Sequence, residues 1–195
     1  MARGGTGHGF SKHQRRVWLE RNRPHWIAAF GVIAMFATGL QAGLAEQAHD
    51  KAARGALIGL HISIGATLFV FFVARIALHY SQIQPVKPKQ AAWLNTLSSV
   101  VQNLLLLGLL IQLISGPLAV WSGGRAINAF DLFSLPSPFA ERNNDVHEAA
   151  ESAHLVGRVL IFFTLALHVL GALKHLMLDR DGAFQRMLWP AKLSK

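Results

Sequence analysis

The chain contains no cysteine. That excludes disulfides, iron–sulfur clusters and thioether-linked haem. Charge is also scarce: 15% of the 195 residues are charged and 52% are hydrophobic, whereas soluble domains average about 25% charged residues. Acidic groups are missing where the chain is most apolar. No Asp or Glu falls within the runs His25–Gly43, Gly55–Leu78, Leu94–Trp121 and Ala153–Leu178. This weakens the case for a metal-ion transporter or a carboxylate proton relay. No internal sequence repeat is present.

Each of these four runs reaches the roughly 20 residues needed to cross a bilayer. They predict an all-α membrane protein, a four-helix transmembrane bundle. The first run exceeds the usual signal-peptide core of about 7–15 residues, so a retained helix is expected. The formal charge of +9 could suggest nucleic acid, but the basic residues lie mainly in tails beside apolar spans. Membrane topology accounts for them better, and no nucleic-acid partner is expected.

The N-terminal tail is basic through Lys12, Arg15, Arg16, Arg21 and Arg23. The second connection, "HYSQIQPVKPKQ", is basic and broken by proline, and the C-terminal "DRDGAFQRMLWPAKLSK" is basic again. The first connection has mixed charge, and the long third one, "SGGRAINAFDLFSLPSPFAERNNDVHEAAE", is net acidic. This alternation predicts both termini in the cytoplasm. The expected organisation is a basic tail over 1–24, a bundle over 25–178 and a second basic tail over 179–195. Phe130, Phe133 and Phe139 predict that the third connection folds back on the membrane surface. Pro117 is expected to kink the end of the third helix.

Against this apolar background the stretch "SAHLVGRVLIFFTLALHVLGALKH", Ser152–His175, carries three histidines, an arginine and a lysine. Ionisable groups inside a span are costly and usually mark function. His154 and His168 are separated by about 21 Å of helical rise and lie within about 40° in azimuth, so one helix offers an imidazole near each membrane surface. His147 and His175 extend the same stripe. His61 opens the second span at the level of His154, and His25 opens the first at the level of His168. Two opposed histidine pairs at two depths follow from topology and helical rise.

Gly65, Gly157 and Gly171 each lie about a turn from one of these histidines. Such glycines either open space for something flat and wide or mark close helix contacts. Two axial imidazoles saturate a haem iron, whereas zinc or copper would recruit carboxylate, cysteine or further histidine around one point. Two b-type haems are the better fit. Arg75, fourteen residues after His61, is a candidate to meet a haem propionate or a quinone oxygen, and Arg158, one turn inside His154, to neutralise the outer haem or draw in an anion. For Arg158, pairing with the acidic third connection is the ordinary alternative. His147 sits in polar surroundings and is kept outside the haem. His79 and His175 read as snorkelling residues at the edge, and His8, His13 and His49 as solvated.

The segments "RNRPHW", "LHISIG" with "ARIALH", and "HLVGRVLIFFTLALHVLGALKH" with "RMLWP" together resemble the bacterial cytochrome b561 family, from about His25 to Pro190. The resemblance implies a multi-pass protein of the bacterial inner membrane with two haem b groups. By position, His25 and His168 would hold the cytoplasmic-side haem, and His61 and His154 the outer one. Family members are similar in exchanging electrons between quinone and a partner at the other face. Some oxidise superoxide and reduce ubiquinone, while related cytochrome b subunits relay electrons for a periplasmic redox enzyme. Arg158, Arg125, Lys51 and Arg54 lie where they would raise the encounter rate with an anionic substrate near the outer haem.

Overall fold

The computed structural model describes residues 12–81 and 90–188, the side chains of 12–22 and of Arg186 excepted. The proline-broken part of the second connection and the ends of both tails lie outside the described residues. Five α-helices are described: α1 (Lys12–Gln47), α2 (Lys51–Ser81), α3 (Ala92–Ser122), α4 (Asn144–Lys174) and α5 (Ala183–Leu188). Four stretches are long and apolar enough to cross a membrane: Arg23–Gln47, Lys51–Ser81, Ala92–Ser122 and Asn144–Asp179. Helices are the natural form for such stretches, because lipid offers nothing to hydrogen-bond an exposed backbone. The protein is a multi-pass helical membrane protein.

Local chemistry sets the ends. His49, at φ 57°, turns the chain after α1. Asp50 then caps α2 by accepting the Ala53 N–H at 2.9 Å. Asn143 caps α4 through the Val146 N–H at 3.1 Å. The outermost spans begin at Arg23 and end at Asp179, while helix extends beyond them on both sides. The helix α1 begins at Lys12 and runs through Pro24, so the basic segment before the span is helical from Lys12 on. Beyond α4, a π-helical turn (His175–Asp179) and α5 stand where a plain basic tail was expected. The helix α3 continues for five residues beyond Pro117.

The bundle is made of two helix pairs. The helices α1 and α2 pack closely on each other, as do α3 and α4, whereas close backbone approach between the pairs is sparser and found mainly for α2 against α3. Glycines set the close approach inside each pair. A β-carbon on Gly31 would sit 2.8 Å from Leu68 Cδ1, and one on Gly65 would sit 3.1 Å from Met35 Cε. Gly108 and Gly157 meet across α3 and α4. Large apolar side chains such as Phe30, Val70, Ile114 and Phe162 remain exposed, which is the expected surface of a helix facing lipid.

The third connection contains a feature that the all-helical reading did not include, a two-stranded antiparallel hairpin. Its strands are β1 (Ile127–Ala129) and β2 (Phe133–Leu135), with Ala129 opposite Phe133. It folds back onto α2. Ser63 Oγ donates to the Asn128 carbonyl at 3.2 Å and accepts the Phe130 N–H at 3.2 Å. At the other end of the bundle Trp26 Nε1 donates to the Met187 carbonyl at 3.2 Å, joining the start of the first span to α5. The molecule thus has a hairpin end and a terminal end.

Candidate functional site

Between the helix pairs, imidazoles reach across from either side. At the hairpin end His61 of α2 faces His154 of α4, with ring centroids 6.3 Å apart. At the terminal end His25 of α1 faces His168 of α4, with centroids 6.1 Å apart. These are the two pairs expected from helical rise. In each, one ring comes from the α1–α2 half and the other from α4. No hydrogen bond joins the two rings of either pair among the described residues.

The separation has chemical meaning. An imidazole nitrogen bonds a metal at about 2 Å and lies about 1 Å from its ring centre, so two rings on one metal atom have centroids about 6 Å apart. Both pairs match this spacing. Among the described residues neither has a carboxylate beside it to complete a zinc-like shell, and the chain has no cysteine to supply a thiolate. Each pair could therefore offer two imidazole nitrogens to one metal atom, a donor set that suits a planar macrocycle with two axial positions.

The hairpin-end rings are held by a repeated device. Thr38 Oγ1 lies 3.0 Å from His61 Nδ1, and Ser115 Oγ lies 3.1 Å from His154 Nδ1. The next residue in each case is a glycine against the ring. A β-carbon on Gly39 would be 3.4 Å from His61 Cε1, and one on Gly116 would be 3.5 Å from His154 Cε1. A hydroxyl–glycine dipeptide on α1 therefore seats the ring from α2, and another on α3 seats the ring from α4. Sequence reasoning missed all four residues. "TG" and "SG" are common dipeptides, and their only signal is that each lies on the helix preceding a histidine-bearing one.

The same dipeptide recurs seven residues on as Ser122–Gly123, facing His147. There Nδ1 lies 2.9 Å from the Ala119 carbonyl and Nε2 lies 3.3 Å from Glu151. Both ring nitrogens of His147 are engaged, so it stands apart from the two ring pairs. Of the glycines singled out in the sequence, Gly157 makes a helix contact with Ile111 and Gly108, and Gly65 contacts Met35, while Gly171 faces open space. Gln112 was not anticipated either. It donates to the His154 carbonyl at 3.1 Å and leaves its buried Oε1 without a partner among the described residues.

Arg75 is half-buried and within electrostatic reach of His25 and His79. Arg158 is exposed on α4 and within reach of His154. Among the described residues no carboxylate lies at ion-pair distance from it, so the ordinary alternative of pairing with the third connection is not seen. His175, read as a snorkelling residue, instead binds Asp181 at 2.9 Å and Asp179 at 3.1 Å. Lys174 joins the cluster through Asp179. At the hairpin end Arg54 and Arg125 both line two adjoining clefts of about 660 and 570 Å³, the second of which also includes Arg142. Arg54 is paired with Glu46.

The fold and the ring pairs define a class: a membrane helical bundle able to carry redox groups on opposed histidines. The family model of the prokaryotic cytochrome b561 matches residues 23–190, and the chain belongs to that family. It is therefore a membrane b-type cytochrome of electron transfer, and the family implies haem b. The chain is 28% identical over 168 residues to cytochrome b561 homolog 2 of Escherichia coli K12, covering 84% of this chain and 86% of that protein. It is also 25% identical over 166 residues to a probable superoxide oxidase, CybB, of Yersinia pestis, covering 84% and 90%.

Proposed function

We propose that the protein carries two haem b groups and moves electrons across the bacterial inner membrane in exchange with the quinone pool, with superoxide as the donor at the hairpin end. His61 and His154 clamp one haem there, and His25 and His168 clamp the other at the terminal end. The terminal end faces the cytoplasm with both chain termini, and the hairpin end faces the periplasm. The carrying observation is that two ring pairs, at 6.3 and 6.1 Å, each span the two halves of the bundle.

When bound, a haem with two histidine ligands supplies one-electron transfer through its porphyrin edge and has no open position for oxygen. The protein's part is orientation and charge. The α4 stripe fixes one ring at each depth, separated by about 21 Å of helical rise. Arg75 near the terminal-end pair and Arg158 near the hairpin-end pair are suited to anionic propionates or a quinone oxygen. Arg125 and Arg54 at the hairpin-end clefts, with Lys51 on the same approach, favour the encounter of an anion. Two superoxide ions each give one electron and leave as oxygen, and the two electrons with two protons convert a quinone to a quinol. The name of the Yersinia relative supports this donor.

A purified, detergent-solubilised preparation tests the reading. A reversible reduced-haem spectrum with two haems per chain, and salt-sensitive quinone reduction on adding superoxide, are expected. A colourless, correctly folded preparation made with ample haem supply would overturn it. A second reading draws on the hairpin, where Phe130, Leu132, Phe133 and Leu135 are exposed. Such a surface suits docking of a periplasmic redox enzyme for which this chain relays electrons. Inactivity with superoxide, and quinone reduction only beside a partner, would favour it.

A further inference from the structure

The two ring pairs differ in what lies behind the imidazoles. At the hairpin end both Nδ1 atoms meet a hydroxyl. At the terminal end neither His25 nor His168 has a hydrogen-bond partner among the described residues. We propose that Thr38 and Ser115 are positioning residues that hold His61 and His154 with the proton on Nδ1, leave Nε2 unprotonated as the ligand atom, and so lower the reduction potential of the haem clamped there. The inference rests on the reading that these rings hold a haem.

Proton counting carries the assignment. A serine or threonine hydroxyl has one proton to give. Thr38 Oγ1 lies 2.8 Å from the Ala34 carbonyl and Ser115 Oγ lies 2.7 Å from the Ile111 carbonyl, both closer than to the rings. A carbonyl can only accept, so each hydroxyl proton goes to its own helix, in the ordinary back-bonding geometry of helical Ser and Thr. The oxygen's lone pairs then face Nδ1, which must be the donor. A neutral imidazole with its proton on Nδ1 has a free lone pair on Nε2. With the proton on Nε2 instead, that nitrogen would have no lone pair to offer an iron.

The electronic consequence has a definite sign. Donating Nδ1–H to an acceptor makes the ligating nitrogen more basic. A more basic ligand favours the ferric over the ferrous state, which lowers the potential. The glycine beside each hydroxyl lets the ring approach closely enough for this bond, as the Gly39 and Gly116 distances to Cε1 indicate. The Ser122–Gly123 seat shows the same construction, but His147 gives its Nδ1 to a carbonyl and its Nε2 to Glu151. The seat itself thus recurs, and of the three rings it holds, His61 and His154 keep Nε2 without a hydrogen-bond partner among the described residues.

The test is a redox titration, followed optically, of the purified holoprotein and of Ser115→Ala, Thr38→Val, Ser115→Thr and Thr38→Ser. The low-spin ferric resonance of each haem is recorded alongside. Ser115→Ala and Thr38→Val should each shift the ferric–ferrous equilibrium of the hairpin-end haem toward reduction by about fivefold, the ratio for one ordinary hydrogen bond. That corresponds to about 40 mV at 59 mV per tenfold for one electron. The other haem should be unmoved, and the hydroxyl-retaining variants should stay at the parent potential. Unchanged potentials in Ser115→Ala and Thr38→Val overturn the proposal. If the hydroxyl-free variants lose that haem, retention of it in Ser115→Thr and Thr38→Ser supports the hydrogen bond, and its loss there too overturns it. A parent protein without any haem spectrum instead overturns the reading beneath.

Discussion

Gly108 of α3 and Gly157 of α4 oppose each other so closely that a β-carbon on either would lie 3.4 or 3.3 Å from the other's carbonyl oxygen. The same added atoms would come within 2.7 Å of Ile161 Cγ1 and 2.9 Å of Ile111 Cγ2. A branched side chain has no room there. Gly157→Val should destabilise the bundle by about 1–3 kcal/mol, the usual range for overpacking, seen as a lower melting temperature in detergent. Gly43→Ala is the control. Nothing lies within 4 Å of its β-carbon position, so melting should stay level or rise slightly. Equal losses in both variants would refute the packing argument.

Removing one ring from each proposed clamp should remove one haem and leave the other. His61→Ala is expected to lose the hairpin-end haem and His25→Ala the terminal-end haem, each leaving about half the parent pigment by extracted-haem assay. A lone imidazole on α4 cannot replace the second axial ligand from the opposite half. Full pigment in both variants would show the pairing to be wrong.

Ser63 holds the hairpin by serving as donor to Asn128 and acceptor for Phe130. Ser63→Ala strands a carbonyl and an N–H together, which costs about 1–3 kcal/mol when such groups are shielded from water. Phe130 and Asp131 have φ of 47° and 58°, a conformation that costs roughly 1–2 kcal/mol per non-glycine residue, so the turn depends on this anchor. Limited proteolysis near 130–132 should become several-fold faster in the variant, with haem content retained. Unchanged proteolysis would show that α2 packing alone fixes the hairpin.

If an anion is drawn to the hairpin-end clefts, charge there should act on rate more than on the redox groups. Arg125→Gln should slow superoxide-driven quinone reduction several-fold at low ionic strength. The deficit should shrink near 0.5 M salt, where the screening length falls to roughly half its physiological 8 Å. The spectrum and potentials should not move. A deficit that persists at high salt would place Arg125 in a structural role instead.

Much of this architecture is legible in the chain because lipid imposes one rule over long distances. Four runs of adequate length can only be helices, and fixed rise per residue then carries His154 and His168 to opposite depths on one stripe. The partner residues His61 and His25 follow from alternating direction. The seats of the rings follow from nothing so periodic. Thr38–Gly39 and Ser115–Gly116 gain meaning only once α1 lies on α2 and α3 on α4, a pairing that hydropathy does not encode. The hairpin escaped notice because three-residue strands leave almost no alternation to read. The glycines beside histidines were ambiguous for a related reason: whether a glycine opens a void or closes a contact depends on which helix stands opposite.

The sparse contact between the two helix pairs has a consequence for biogenesis. On the proposed reading, haem held between the pairs would add cross-bracing to that of α2 on α3. A group that binds only the folded chain stabilises it, so on that reading cells starved of haem should hold less of the protein than haem-replete cells at equal synthesis.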